Sequence, residues 1–295
     1  MTVTSRRRTG ELLRVLFEVL SKYPEGLQAR EALDVVAGQV SLSEYEAGTY
    51  DDGSPRFDKI LRFATVDCVK AGWLVKQKGR WRLTDEGRSA HARFADPEAF
   101  YREAVRLYNV WRKTQPEAEV NTADEQAESG KETTVTFEQA EEQAWAEIQA
   151  HLRNMLPFEF QELVASLLRA MGYYVSWVAP PGKDGGIDIL AWGDPLGTRP
   201  PRIKVQVKRY SDNVRVDGLR SFMAVLGDDD VGLFVTTSGF SRDAEEEART
   251  QEKRKVTLVD LERLVDLWVE HYSKLDEVAR RRFPLQPIWF LAPPT

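Results

Sequence analysis

Apolar positions in the first hundred residues switch from helical spacing to strict alternation and back. In ELLRVLFEVLSKYPEG, Leu12, Leu13, Leu16, Val19 and Leu20 share one face of a 3.6-residue repeat, and Pro24 and Gly26 close it, which predicts an amphipathic helix. Ala29 to Gln39 reads as a second short helix. RFDKILRFATVDCVKAG reads as a third, with Phe57, Ile60, Leu61, Ala64 and Cys68 turned to a core and Arg56, Lys59, Arg62 and Lys70 left to solvent. WLVKQKGRWRLT then alternates about Lys78-Gly79, a hairpin signal, before DEGRSAHARF resumes a helical pattern. Three helices followed by a two-stranded hairpin is the order of a winged helix-turn-helix, whose third helix enters a DNA major groove while the wing touches the backbone.

A second cycle of patterning starts at LPFEFQELVASLLRAMGYYVSWV. Phe160, Leu163, Val164, Leu167, Leu168 and Met171 recur at helical spacing up to Gly172, a natural stop, and a strand follows through Tyr174, Val175, Trp177 and Val178. Pro180, Pro181, Gly182, Gly185 and Gly186 break the chain before IDILAW, a strand with Asp188 at its start. DPLGTRPP makes a hairpin connection, and RIKVQVKRY is a third strand. Between the two cycles lies QPEAEVNTADEQAESGKETTV, polar and without a core-forming period, the composition of a solvated spacer, with a DNA-mimicking or regulatory segment as the alternative; a helical pattern resumes from Phe137 to Leu152. The expected division is a winged-helix domain over 1–95, a helical and acidic linker region over 96–150, a catalytic domain over 151–273 and a tail over 274–295.

Charge sharpens this division. The formal net charge of the 295 residues is -6. From Gln115 to Gln149 ten acids face Lys131 alone, a balance of -9, whereas residues 1–114 carry 20 basic against 16 acidic residues. The acidic segment therefore masks a basic N-terminal domain, and Arg56, Lys59 and Arg62 with the wing residues Lys76, Lys78, Arg80 and Arg82 form a candidate phosphate-contacting patch. One cysteine, Cys68, excludes an intrachain disulfide and a cysteine-rich zinc site, and His91, His151 and His271 show no ligand spacing. No apolar run approaches the ~18 residues of a membrane span, and no signal-type apolar core follows the basic N-terminus; a cytoplasmic protein is expected.

Candidate chemistry sits on the strands of the second cycle. Residues two apart in a strand point the same way, so Gln206 and Lys208 share one face of IKVQVKR while Val205 and Val207 take the other. Beside IDILA, that face would receive Asp188, and the carboxylate, the Gln206 carbonyl oxygen, a backbone carbonyl and waters could hold a divalent cation. Phosphodiester hydrolysis requires such a cation beside the phosphate, with Lys208 placed to orient water and to stabilise the pentacovalent charge. An ordinary strand with an outward lysine, and an aspartate capping a turn, would show the same three letters.

The order FEFQELVASLLRAMGYYV, DGGIDILAWGDPLG, RIKVQVKRY, VGLFVTTSGFSRDA resembles the catalytic domain of the Mrr family of type IV restriction endonucleases, a Gln-x-Lys branch of the PD-(D/E)xK nuclease superfamily. The likeness spans about Leu152 to Tyr272, and FDKILRFATVDCVKAGWLVKQKGRWRLTDEG resembles the winged-helix domain that precedes the nuclease in that family. The resemblance implies an α/β restriction-endonuclease-like domain, a mixed sheet flanked by helices, behind an N-terminal winged helix-turn-helix. It implies a catalytic core of Asp188, Gln206 and Lys208 with Asp188 and Gln206 as metal ligands, Mg2+ as cofactor with Mn2+ able to substitute, and cleavage of modified, methylated or foreign double-stranded DNA by a homo-oligomer. The carboxylate that the first helix often supplies is left between Glu162, the preferred choice, and Glu159, because Gln161 follows Phe160 where glutamate is common. Asp184 would shape the loop before the strand, and Thr236, Thr237 and Ser238 would touch phosphate or only end a strand. A repair or junction-resolving nuclease, or a DNA-binding protein without activity, would share these features.

Overall fold

The structure, a computed structural model, describes residues 5–50, 53–114, 123–181, 186–210, 212–251 and 254–288. Two compact units part between Ala146 and Glu147. In the first, the Ser5 hydroxyl accepts the Arg8 N–H and starts α1 (Arg6–Ser21), whose apolar stripe is fully buried. After β1 (Leu27–Gln28) come α2 (Ala29–Gln39), α3 (Arg56–Lys70) and the antiparallel pair β2 (Leu74–Gln77) and β3 (Arg80–Leu83), with β1 on the far side of β3. Lys78 at φ 49° and Gly79 at φ 72° form the two-residue link, the left-handed pair that matches the twist of a tight hairpin. α4 (Asp85–Arg93) follows, its first turn closed by the Thr84 hydroxyl.

Two expectations for residues 96–150 are corrected. α5 (Pro97–Lys113) belongs to the core of the first unit: Phe100 and Ala104 are fully buried, and the Phe100 ring lies 5.1 Å from those of Phe17 and Trp73. Its Asp96 cap, Pro97 and the spacing of Phe100, Ala104 and Tyr108 are ordinary helix signals, so the boundary at residue 95 cuts through a core. The acidic segment forms α6 (Ala123–Asn154), which is no solvated spacer over its described part. Val135 is buried with Val66 and Tyr108, and Lys131, Glu138 and Glu142 pair with Asp67, Lys76 and Arg62. The partners of Glu138 and Glu142 lie 62 and 80 residues away in sequence. Residues 115–122 lie outside the described part.

In the second unit the end of α6 is followed by α7 (Pro157–Ala170), after which Gly172 at φ 95° turns the chain into β4 (Tyr174–Val178). β5 (Ile189–Trp192), β6 (Arg202–Lys208), α8 (Val216–Met223), β7 (Asp230–Thr236), α9 (Arg242–Thr250), β8 (Lys255–Val259) and α10 (Leu261–Glu270) complete the α/β unit. The sheet runs β4-β5-β6-β7-β8, antiparallel through β6 and parallel from β6 to β8. The mixed sheet with helices is the expected architecture. The expected tail is corrected in part: α11 (Glu277–Arg282) packs into this unit, with Ala279 and Phe283 buried and the Phe283 ring 5.6 Å from those of His151 and Trp268. Among the described residues no helix is long and apolar enough to cross a membrane.

A buried ion cluster ties β6 to β7. Asp230 accepts from Arg202 at 2.6 Å and lies 2.9 Å from Lys204. Burial raises its carboxyl, but the hydrogen bonds from Arg202, Lys204 and the Gly227 N–H prevail and hold it well below the usual carboxylate range. Its stabilising contribution is complete above the ordinary value near 3.8 and fades as the pH falls through the depressed folded value. The denaturation midpoint of wild type should therefore converge on that of Asp230→Asn on acidification. Close packing gives a second expectation. A Cβ at Gly10 would meet the Pro97 carbonyl oxygen at 1.9 Å, so Gly10→Ala should cost about 1–3 kcal/mol, read from urea denaturation.

Candidate active site

The geometry starts at the register of β5 on β6, where Ile189 faces Val205. Asp188 N–H donates to Val205 O at 2.8 Å, and its carboxylate Oδ2 accepts the Val207 N–H at 2.7 Å. Asp188 is thereby held against β6 beside the peptide between Gln206 and Lys208. Gln206 Nε2 donates to Gly186 O at 3.0 Å, leaving Oε1 as the amide's acceptor oxygen. Gly186 adopts φ 87°, which a side chain would disfavour, so the glycine is required where the loop meets Gln206. With Asp188 6% and Gln206 7% exposed, both oxygen donors are largely stripped of water, the condition under which a nearby positive charge counts most. Lys208, half-buried at the end of β6, lies on the Gln206 side of the strand.

The α7 carboxylates make other contacts. Glu159 accepts the Leu156 N–H as a helix cap, and Glu162 lies 3.8 Å from Arg169. Gln161 is the α7 side chain that reaches the site: its Nε2 donates to Ala179 O at 2.8 Å and to Asp188 O at 3.2 Å. Neighbouring helix residues differ by about 100° in direction, so Gln161 and Glu162 cannot both face the strands. A signal existed, since Gln161 stands one turn before Ala165 and two turns before Leu168 on the buried side of α7. Thr236 and Thr237 are buried; Thr236 Oγ1 lies 3.0 Å from Ser238 Oγ, and Thr237 Oγ1 donates to Tyr210 O, which closes the end of β7. Asp184 lies outside the described residues.

The basic residues of the first unit are distributed unexpectedly. Arg62 is not open to solvent: it is 6% exposed and donates through Nη2 to Glu142 at 2.7 Å. Lys76 is buried against Glu138 at 2.6 Å, and burial pulls its ammonium below the usual lysine range despite that carboxylate. Lys78 stands 5.4 Å from the Trp145 ring, and Arg56 and Lys59 lie over the Tyr45 and Tyr50 rings, respectively. Arg80 is exposed, with Nη1 donating to Gly26 O, and Arg82 is exposed.

Two family descriptions match this chain: the Mrr N-terminal domain over residues 10–93, and the restriction endonuclease catalytic domain of Mrr over 152–268. The chain is also 26% identical over 291 aligned residues to the type IV methyl-directed restriction enzyme EcoKMrr of Escherichia coli (strain K12), covering 88% of this chain and 91% of that one. It belongs to the Mrr family of restriction endonucleases. The Mrr-family chain is accordingly a DNA endonuclease, and its catalytic match contains the whole Asp188, Gln206 and Lys208 cluster. Two solved structures are more distantly similar. The MspJI restriction endonuclease in complex with a 27-mer oligonucleotide is 20% identical with a TM-score of 0.34, over 64% of this chain and 44% of that one. The DNA modification-dependent restriction endonuclease AspBHI is 17% identical with a TM-score of 0.37, over 71% and 59%. The chain thus spans roughly half the length of those two, and neither bears on the assignment.

If Gln161 acts as a clamp on the Asp188 backbone, Gln161→Ala should destabilise the protein by about 1–3 kcal/mol, because the Ala179 carbonyl loses this donor and the Asp188 carbonyl is left with the Ala179 N–H. Gln161→Glu should be no better, since it sets a carboxylate against the same carbonyl oxygens. Chemical denaturation and cleavage rates of the two variants test this; a fully active, stable Gln161→Glu would assign the position to a ligand role.

Proposed function

We propose that the chain is a Mg2+-dependent endonuclease that hydrolyses phosphodiester bonds in modified, in particular methylated, double-stranded DNA. The first unit would act as a winged helix-turn-helix reader. The observation that carries the cleavage reading is the desolvated Asp188 carboxylate held at Val207, between Gln206 and Lys208. The donor set fits a hard cation: Asp188 and Gln206 Oε1 are oxygen ligands. Among the described residues no group of three or more His, Cys, Asp and Glu converges, so the cation would lean on Gln206, backbone oxygen and water, as Mg2+ tolerates. When bound, it supplies positive charge beside the phosphate and acidifies coordinated water.

Asp188 and Gln206 would hold that cation, while the Val207 N–H and Gln161 keep the Asp188 carboxylate and backbone in place. Lys208 would orient the attacking water and stabilise charge on the phosphoryl oxygens as water adds to phosphorus and the ester P–O bond breaks. The methyl-directed name of the Escherichia coli relative supports modified DNA as substrate. Helix order, the primed hairpin turn and the match to the Mrr N-terminal domain support the reader. Cutting both strands requires two such sites, which supports a homo-oligomer.

Asp188→Ala and Lys208→Ala should each lower the cleavage rate by about a hundredfold or more while DNA affinity is retained, because each removes stabilisation confined to the transition state. The assay pairs methylated with unmethylated plasmid, with Mg2+ and with a chelator. Undiminished cutting by either variant would refute the site, and equal cutting of both plasmids would refute the substrate.

A further inference from the structure

The acidic helix α6 lies against α3 and the β2–β3 hairpin of the first unit. Between Lys131 and Ala146 its described buried residues are only Val135 and Trp145, against eight on α1, so apolar packing holds it weakly. Charge does more. Glu142 pairs with Arg62 of α3 at 2.7 Å, Glu138 with Lys76 of β2 at 2.6 Å, and Trp145 stands against Lys78 at the hairpin turn. A Cβ on Gly79 would meet Glu142 Cγ at 2.9 Å, so α6 is in close contact with the hairpin tip itself.

The seam is also imperfect. Among the described residues Arg62 Nε and Nη1 are buried without a hydrogen-bond partner, so the five-donor guanidinium meets one carboxylate oxygen and the Trp81 ring at 5.5 Å. A cavity of about 240 Å3 remains between the start of α3 and α6, lined by Asp58, Phe63, Val135 and Gln139 among others. A guanidinium that is desolvated but half-satisfied gains by exchanging one carboxylate oxygen for the paired oxygens of a phosphate.

We propose that α6 is an autoinhibitory strap: Glu138 and Glu142 occupy Lys76 and Arg62 in place of DNA phosphates, and DNA binding by the first unit requires α6 to leave α3 and the hairpin. This rests on the reading of the first unit as the DNA reader. The strap holds the two cations in place, and selects a polyanion dense enough to displace several carboxylates at once.

The test uses the full chain carrying Asp188→Asn, to prevent cutting, with a methylated duplex at saturation and amide hydrogen exchange read by mass spectrometry. DNA should accelerate exchange across residues 131–146 while altering residues 56–83. Protection of 131–146 that stays or rises while 56–83 becomes protected would overturn the strap and leave the reader standing. Bound DNA with no change in either segment would overturn both.

Affinity supplies a second measurement in conservative variants. Glu138→Gln with Glu142→Gln should tighten DNA binding by about tenfold, since carboxylates that compete with phosphate are neutralised. Adding Arg62→Ala in that background should weaken binding again. Unchanged affinity in the glutamine pair, or no loss from Arg62→Ala, would sink the proposal.

Discussion

One hydrogen bond, from the Val207 backbone N–H to the Asp188 carboxylate Oδ2, organises the catalytic unit. It requires β5 to meet β6 antiparallel in a single register, and that register requires the break at Gly186 and the turn after Trp192. A slip of one residue would send Asp188 to the other face of the sheet and separate it from Gln206 and Lys208. The parallel strands β7 and β8 and the ion cluster at Asp230 hold β6 from its other side. The strand carrying Gln206 and Lys208 is thus central and covered, not an edge.

The first unit is organised by a different constraint, the need to partner charges that its own fold buries. Asp67 is 0% exposed yet receives the Tyr101 hydroxyl and the Lys131 ammonium, and burial keeps its carboxyl above the ordinary range against both. Arg62 and Lys76 are desolvated in the same region. Opposite charges from α6 meet all three, which accounts for an acidic sequence folding as a packed helix. Buried pairs of this kind add little net stability, but losing one partner costs several kcal/mol, roughly 3–5, so α6 and α3 are chemically interdependent.

Local elements were legible because they rest on neighbours in sequence. α2 over Ala29–Gln39, the Lys78-Gly79 turn, the Gly172 stop and the strand of Gln206 and Lys208 follow from spacing and turn chemistry alone. The mixed α/β sheet and the Mrr family followed from the order of those elements and their motifs. Composition misled where polarity was equated with solvent: α5 and α6 carry many charges, yet each buries a stripe or pairs its acids.

The chain itself determined which segments are helix or strand, and which residues share a strand face, because both are set by periods of 3.6 and 2. Only the tertiary structure decided what those faces meet. Gln161 rather than Glu162 touches the Asp188 backbone because α7 crosses the strands at one rotation. Arg62 is buried rather than free because Glu142, eighty residues away, lies on it. No local pattern contains such information: a side chain's exposure depends on which distant surface covers it, and that is fixed when the elements pack.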